Sequence, residues 1–210
     1  MTSVSDHTDN LLEWAGNFRV AIGEEYSKHI SLIAAESLFH EGMPYSYEDN
    51  GYALYGGRAA SFNTSHSVTN MELTEITDLQ WDPEYGDYEN LTDSGLVIFF
   101  ERSGRFFIRR DVTLHENEES AFKYLSNFLV IQALIRNIRK GLSPYVGSVF
   151  PADSVVKTII ENGIAATKGH KSVTYNAECN RHEGYIRLTL NVNLVGYINT
   201  ITVQVYLRIF

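Results

Sequence analysis

Two stretches near the C-terminus alternate between apolar and polar side chains, and no other feature of the chain constrains its folding as tightly. Ile186, Leu188, Leu190, Val192 and Leu194 alternate with polar neighbours, and Ile201, Val203, Val205, Leu207 and Ile209 alternate with Thr202, Gln204, Tyr206 and Arg208. A period of two sends successive side chains to opposite faces of an extended backbone, so each stretch reads as a strand with one buried face. The first run falls on even positions and the second on odd ones. A one-residue slip would turn the buried face outward, so a turn or bulge between Gly196 and Asn199 has to absorb it. A terminal amphipathic strand is either the outer strand of its own sheet or an arm that completes another subunit's sheet.

The rest of the chain adds helices and a hairpin. Gly95 to Phe100 and Arg105 to Arg110 are β-rich runs joined through Ser103-Gly104, a hairpin turn signal. Asn117, with Glu118 and Glu119 behind it, reads as the N-cap of a helix running to Lys140, with Gly141 as its stop. Phe122, Leu125, Phe128, Leu129, Ile131, Ile135 and Ile138 supply its apolar stripe. Asp153 opens a second helix, with Val156, Ile159, Ile160 and Ile164, ending near Gly169. Asp9 to Ala15 reads as a short helix. His29 to Ala35 fits a buried strand or a helix, because short apolar runs do not separate the two. Gly42 to Asn50 reads as a loop, Tyr52 to Ser61 as a closely packed helix, and the acidic stretch Trp81 to Asn90 as an exposed loop. The resulting class is mixed α/β, a central mixed sheet with flanking helices and a β-rich C-terminal region. Its expected organisation is an N-terminal segment over 1–29 and a core over 30–210, with 197–210 as an arm strand.

Composition excludes several functions. The 210 residues suffice for a buried core. The longest apolar run, Leu96 to Phe100, is far short of the roughly 20 residues of a membrane helix. The polar, acidic start lacks the pattern of a signal peptide, which reads as a soluble protein made in the cytoplasm. One cysteine, Cys179, allows no internal disulfide and no Cys-rich zinc site. The net charge of −9 disfavours general nucleic-acid binding. Residues 1–100 hold 3 basic and 17 acidic side chains, and residues 101–210 hold 14 and 9. If the halves lie at different ends of the fold, copies would attract head to tail; the preferred reading of composition alone is that helix faces and loops happen to differ in charge.

Candidate chemistry is sparse. Gly51-Tyr52-Ala53-Leu54-Tyr55-Gly56-Gly57-Arg58 has the glycine spacing of a phosphate loop, but Gly57 stands where the lysine is required. None of the seven histidines forms an H-x-x-x-H pair or stands at zinc-ligand spacing from Cys179. His115 leads an acidic run that reads as a solvated helix start. No G-x-S-x-G elbow is present. Arg102, Arg105, Arg109 and Arg110 alternate with Phe106 and Phe107, which fits either single-strand nucleic-acid binding or, preferably, pairing with the acidic half. No motif here marks a catalytic group, a metal site or a cofactor, and a Ser-His-Asp or Cys-His site built from residues distant in the chain stays open.

Several motifs, in order, resemble the C-terminal core of contractile tail sheath proteins. The apolar segment Ile30 to Ala34 leads through a loop to Gly51-Tyr52-Ala53 and the small residues Gly56 to Ala60. Ser67-Val68-Thr69-Asn70 resembles the family's S-x-T-N stretch. Leu91-Thr92-Asp93-Ser94-Gly95-Leu96-Val97-Ile98 resembles its segment leading into a strand, and Arg109-Arg110-Asp111-Val112-Thr113-Leu114 its strand end. A long helix, the Phe150-Pro151-Ala152-Asp153 lead-in to a second helix, and the β-rich tail follow. The likeness covers about 180 residues. One departure is that sheath subunits usually carry more chain before this core, including an arm strand, where this sequence has about 30 residues.

The resemblance implies a structural role, with no enzyme activity and no cofactor. Such proteins form hexameric rings stacked helically around a tail tube, in a virion tail assembled in the host cytoplasm, and contraction drives the tube outward. Expected partners are copies of the chain, the tail tube protein, and baseplate and tail terminator proteins, with no direct nucleic acid and no membrane insertion. Ile201, Val203, Val205, Leu207 and Ile209 are the expected subunit-linking strand. Arg136, Arg139, Lys140, Lys157, Lys168 and Lys171 are candidates for facing the tube. The alternatives are a terminator or baseplate ring component, and a small α/β enzyme with a dispersed site. Deleting residues 199–210 is expected to leave a soluble subunit that does not polymerise.

Overall fold

In the computed structural model, α1 (Val4–Ile22) ends where Gly23 turns the chain into α2 (Glu24–Ser27). Then come β1 (Leu32–Ile33), β2 (Leu38–His40), β3 (Tyr47–Asp49), α3 (Gly51–Ser61), β4 (Glu72–Leu73) and β5 (Ile76–Leu79). α4 (Asp87–Asp93), β6 (Leu96–Val97), β7 (Phe99–Arg102) and β8 (Arg105–Ile108) follow. The chain finishes with α5 (Leu125–Leu142), α6 (Asp153–Ala165), β9 (His170–Asn180), β10 (Tyr185–Leu194) and β11 (Thr200–Arg208). The structure describes all residues except 1–3, 35–37, 41–46, 50, 62–66, 75, 80, 82, 84–85, 117–119, 196–199 and 210. The expected N-cap Asn117 and the turn at 196–199 lie outside the described residues.

The chain divides into two units, Met1–Phe62 with Ser67–Ser126, and Asn63–His66 with Asn127–Phe210. Among the described residues the first holds three small sheets: parallel β1–β6, and the antiparallel β3-β2-β5 and β4-β8-β7. Hydrogen bonding is therefore split among separate ladders rather than one central sheet, while the mixed α/β class holds. Both faces of the β7–β8 hairpin are buried. Phe100 and Phe107 pack with Leu91, Leu96, Ile98 and Leu114. Phe99, Phe106 and Ile108 pack with Tyr55, Leu73 and Val112. The hairpin turn is the expected one, with Ser103 at φ 58° and Gly104 at φ 73°, the positive angles of a two-residue type I′ turn. Gly95 (φ 89°) is equally constrained, because a Cβ there would lie 2.7 Å from the Thr113 carbonyl oxygen.

α1 is far longer than Asp9 to Ala15. Leu11, Leu12, Ala15, Phe18 and Ile22 recur at helical spacing and pack into the cluster around Leu91. The stretch from Trp81 is not an exposed loop: Pro83 is buried, Trp81 is half-buried against the core, and α4 begins at Asp87. Tyr47–Asp49 is a strand where a loop was expected. α3 forms as expected, but Gly56 and Gly57 meet nothing within 4 Å, so this stretch of the helix is open rather than closely packed.

In the second unit α5 starts later than expected and runs through Gly141 to Leu142. Gly141 is a contact rather than a stop: a Cβ there would lie 2.5 Å from Ile159 Cγ2 of α6. α5 buries Val130, Ile131, Leu134, Ile138 and Leu142, and α6 buries Val156 and Ile160. β9, β10 and β11 form an antiparallel sheet in the order β11-β10-β9. Ile186 to Leu194 bury every second side chain, as their alternation requires. Val192 pairs with Ile201 and Ile186 with Leu207, so the odd-numbered residues of β11 share the face of the even-numbered residues of β10.

Candidate assembly surfaces

No group of three or more His, Cys, Asp or Glu that could hold a metal exists among the described residues. The phosphate-loop-like glycines lie in α3, with Gly56 and Gly57 inside the helix, so their amides are spent on the helix rather than presented to an anion. Cys179 lies in β9, half-buried, where burial and the nearby Asp153 carboxylate push its thiol up, away from the reactive thiolate. His115 is half-buried and Glu116 exposed, and the rest of that acidic run, residues 117–119, lies outside the described residues. None of the described helices is long and apolar enough to cross a membrane.

The arginines around the β7–β8 hairpin are taken by neighbours in their own unit. Arg105 pairs with Glu72 at 3.5 Å and Arg110 with Asp93 at 3.4 Å. Arg102 lies over the Phe107 ring at 4.9 Å, and Arg109 over Tyr88 and Phe100 at 5.7 Å each. Pairing with acidic residues, the preferred of the two sequence readings, holds for Arg105 and Arg110, while Arg102 and Arg109 lie over aromatic rings.

The tail strand has a paired edge and an open one. β11 pairs with β10 from Thr200 to Arg208, and no other strand among the described residues pairs with it. Ile201, Val205 and Ile209 are buried, and Val203 and Leu207 half-buried, so these side chains are committed to their own subunit. What β11 offers outward is its main chain. Ile209 N donates to the Gly184 carbonyl at 2.7 Å. By the alternation of an antiparallel ladder, the amides of Thr202, Gln204 and Tyr206 then point to the open edge.

The six candidate cations separate into three groups. Arg136, Arg139 and Lys140 are exposed along α5, bordering a groove of about 460 Å³ that also includes Gln132, Ile135 and Ser143. Lys157 is 3.9 Å from Glu161 one turn on. Lys168 and Lys171 are exposed at the approach to and start of β9. The charge division follows the structure. The first unit has 8 Lys and Arg against 22 Asp and Glu, a net −14, and the second has 9 against 4, a net +5. Sequence reasoning missed the outward stripe of α1, where Trp14 is 49% and Val20 83% exposed. The helical phase of Val20, on the side away from Ala15 and Ile22, was the signal available for it, while Trp14 stands on the flank of the helix beside Phe18.

No protein-family model matches the chain, and no curated protein matches it in sequence. Solved structures do match. A sheath tail protein from Desulfitobacterium hafniense superposes with a TM-score of 0.69 at 13% identity, over 85% of this chain and 45% of its own. A sheath tail protein from Listeria innocua gives 0.66 at 9% identity, over 94% and 53%. A chain of the six-fold symmetrised anti-feeding prophage baseplate gives 0.63 at 15% identity, over 83% and 53%. The chain spans about half the length of these proteins and has the fold of that half.

Proposed function

We propose that this chain is a structural subunit of a contractile tail, assembling with copies of itself into hexameric rings stacked as a sheath around a tail tube. On this reading contraction of the stack drives the tube outward, and the protein acts in a virion tail assembled in the host cytoplasm. The observation that carries the proposal is the sheath-protein fold over most of the chain, at TM-scores of 0.66 to 0.69. Two features of the molecule support it. The open edge of β11 can accept a strand from a neighbour, and main-chain hydrogen bonds give such a linkage strength with little demand on sequence. The units of opposite charge favour head-to-tail contacts, which generate rings and helices. The role needs no catalytic residue and no cofactor. Of the six candidate cations, Arg136, Arg139, Lys140, Lys157, Lys168 and Lys171, we assign Lys168 and Lys171 to the tube, since Lys157 faces Glu161 and the other three border the α5 groove.

A baseplate or terminator ring is the second reading, favoured by the likeness to a baseplate chain. It differs in growth: a baseplate ring closes once, whereas a sheath extends. Negative-stain electron microscopy over a concentration series separates the two, tubes or stacked rings supporting a sheath and single closed rings a baseplate or terminator. A protein that stays monomeric at every concentration would overturn self-assembly. The strand linkage is tested with Gln204→Pro, which removes an amide from the open edge and keeps those facing β10. The variant is expected to fold and to remain unassembled. Wild-type assembly by Gln204→Pro would take the linkage away from β11.

A further inference from the structure

The outward stripes of two helices, one on each unit, are chemical complements. Asp9, Glu13, Trp14 and Val20 of α1 are exposed, as are Glu25 and Tyr26 of α2, which follows it directly. The Trp14 indole stacks on Phe18 with ring centroids 5.8 Å apart, so its open face is held in place before any partner arrives. Exposed aromatic and aliphatic side chains framed by charge mark a docking surface. Along α5, Ile135 lies among Arg136, Arg139 and Lys140 at the spacing of one helix face. The α1–α2 surface is acidic and carries exposed Val20, Tyr26 and, at its flank, Trp14, and the α5 surface is basic around Ile135.

We propose that the α5 groove of one copy seats on the α1–α2 stripe of a second copy. The inference rests on the assembly reading above and names a surface for it. The α5 groove calls for an acidic partner that also offers an apolar face, and this chain carries such a surface itself. Its guanidinium groups would lie on the Trp14 ring, the favoured geometry of a cation over indole. The carboxylates of Asp9, Glu13 and Glu25 would meet the remaining cations. The net −14 of the first unit and +5 of the second orient the approach in the same sense. Because the two stripes differ, the docked pair keeps one free stripe of each kind, one on each copy, and the contact repeats into a ring or a helix.

Two charge-reversed proteins test the contact: Arg136→Glu with Arg139→Glu and Lys140→Glu, and Asp9→Lys with Glu13→Lys and Glu25→Lys. Circular dichroism checks that each folds. Sedimentation velocity then measures the concentration at which each assembles. Alone, each is expected to need about tenfold more protein than wild type, or to stay unassembled. Mixed in equal amounts, they should recover wild-type assembly, because every reversed stripe meets its complement on the other variant. Wild-type assembly by either variant alone, or folded variants that fail to recover on mixing, would overturn this contact and leave the assembly reading in place. A wild-type protein that is monomeric throughout would overturn both.

Discussion

The C-terminal end of α4 is closed by two cationic side chains. Lys123 Nζ donates to the carbonyl of Asp93 at 2.5 Å and to that of His115 at 3.0 Å, and Arg19 Nη2 donates to the Ser94 carbonyl at 2.6 Å. Helix-end carbonyls carry partial negative charge, so cations placed there are stabilising. His115 sits beside this arrangement, its ring edge-on to Phe122 with centroids 6.4 Å apart and its Nδ1 buried without a hydrogen-bond partner. Burial holds its imidazole below the ordinary pKa of 6.5. The charge of Glu24 opposes that shift, and Lys123, Lys28 and Arg19 add to it. The folded protein therefore binds fewer protons at this site than the unfolded chain. The site's contribution to stability is complete above about pH 6.5, and is lost as pH falls below it. His115→Gln removes the titration, so its melting temperature should fall less between pH 7.5 and pH 5.5 than that of wild type. His29, held low by burial and Lys28, leaves some residual slope. Equal slopes in thermal melts would show that His115 is solvated and does not couple to folding.

Between elements, the closest approach is that of α5 and α6. A Cβ on Gly163 would lie 2.6 Å from Ile138 Cγ1 and 3.1 Å from Ile138 N, and the backbone nitrogen cannot swing aside. Gly163→Ala gains helix propensity of about 1 kcal/mol, but overpacking at the crossing costs about 1–3 kcal/mol. The expected net effect is a loss. Gly56→Ala in α3 meets nothing within 4 Å and should stabilise by up to about 1 kcal/mol. Urea denaturation of the two variants reads both signs, and a neutral Gly163→Ala would mean a looser crossing. The same contact explains why Gly141 misled: its composition signalled a helix stop, while a partner helix some twenty residues away decided its role. The start of α5 was hidden for a similar reason. Its first amides are held by Asp111, whose carbonyl accepts Leu125 N at 2.7 Å and whose carboxylate accepts Ser126 N at 3.0 Å. No local pattern near Asn117 reports a cap that lies further back in the chain. β10 and β11 were legible because each has one buried face, which writes itself as alternation. The order of motifs carried the fold class. The cations were visible as charges, but which had a local partner, as Lys157 has in Glu161, depended on side-chain geometry.

At the scale of the whole molecule, the two units offer separate optical and backbone reporters, and β11 is the element on which this bears most. Both tryptophans, Trp14 and Trp81, belong to the first unit, where each touches its aromatic neighbours. β11 belongs to the second, paired with β10 from Thr200 to Arg208, with Ile201, Val205 and Ile209 buried. Full burial of an aliphatic side chain stabilises by about 1.5–3 kcal/mol. Losing three of them, with the ladder, removes a large part of a stability that is about 5–15 kcal/mol for a typical domain. Deleting residues 199–210 should therefore do more than block polymerisation, the effect expected of a detached arm. Amide exchange in β9 and β10 should become fast, while the tryptophan fluorescence transition of the first unit, whose two apolar clusters contain no residue of β11, should persist. A truncated protein that keeps slow exchange in β10 would restore the detached-arm description, with β11 contributing to neighbours more than to its own sheet. Loss of the fluorescence transition together with the sheet would mean that the first unit depends on the second for its stability, and that the chain unfolds as one cooperative body.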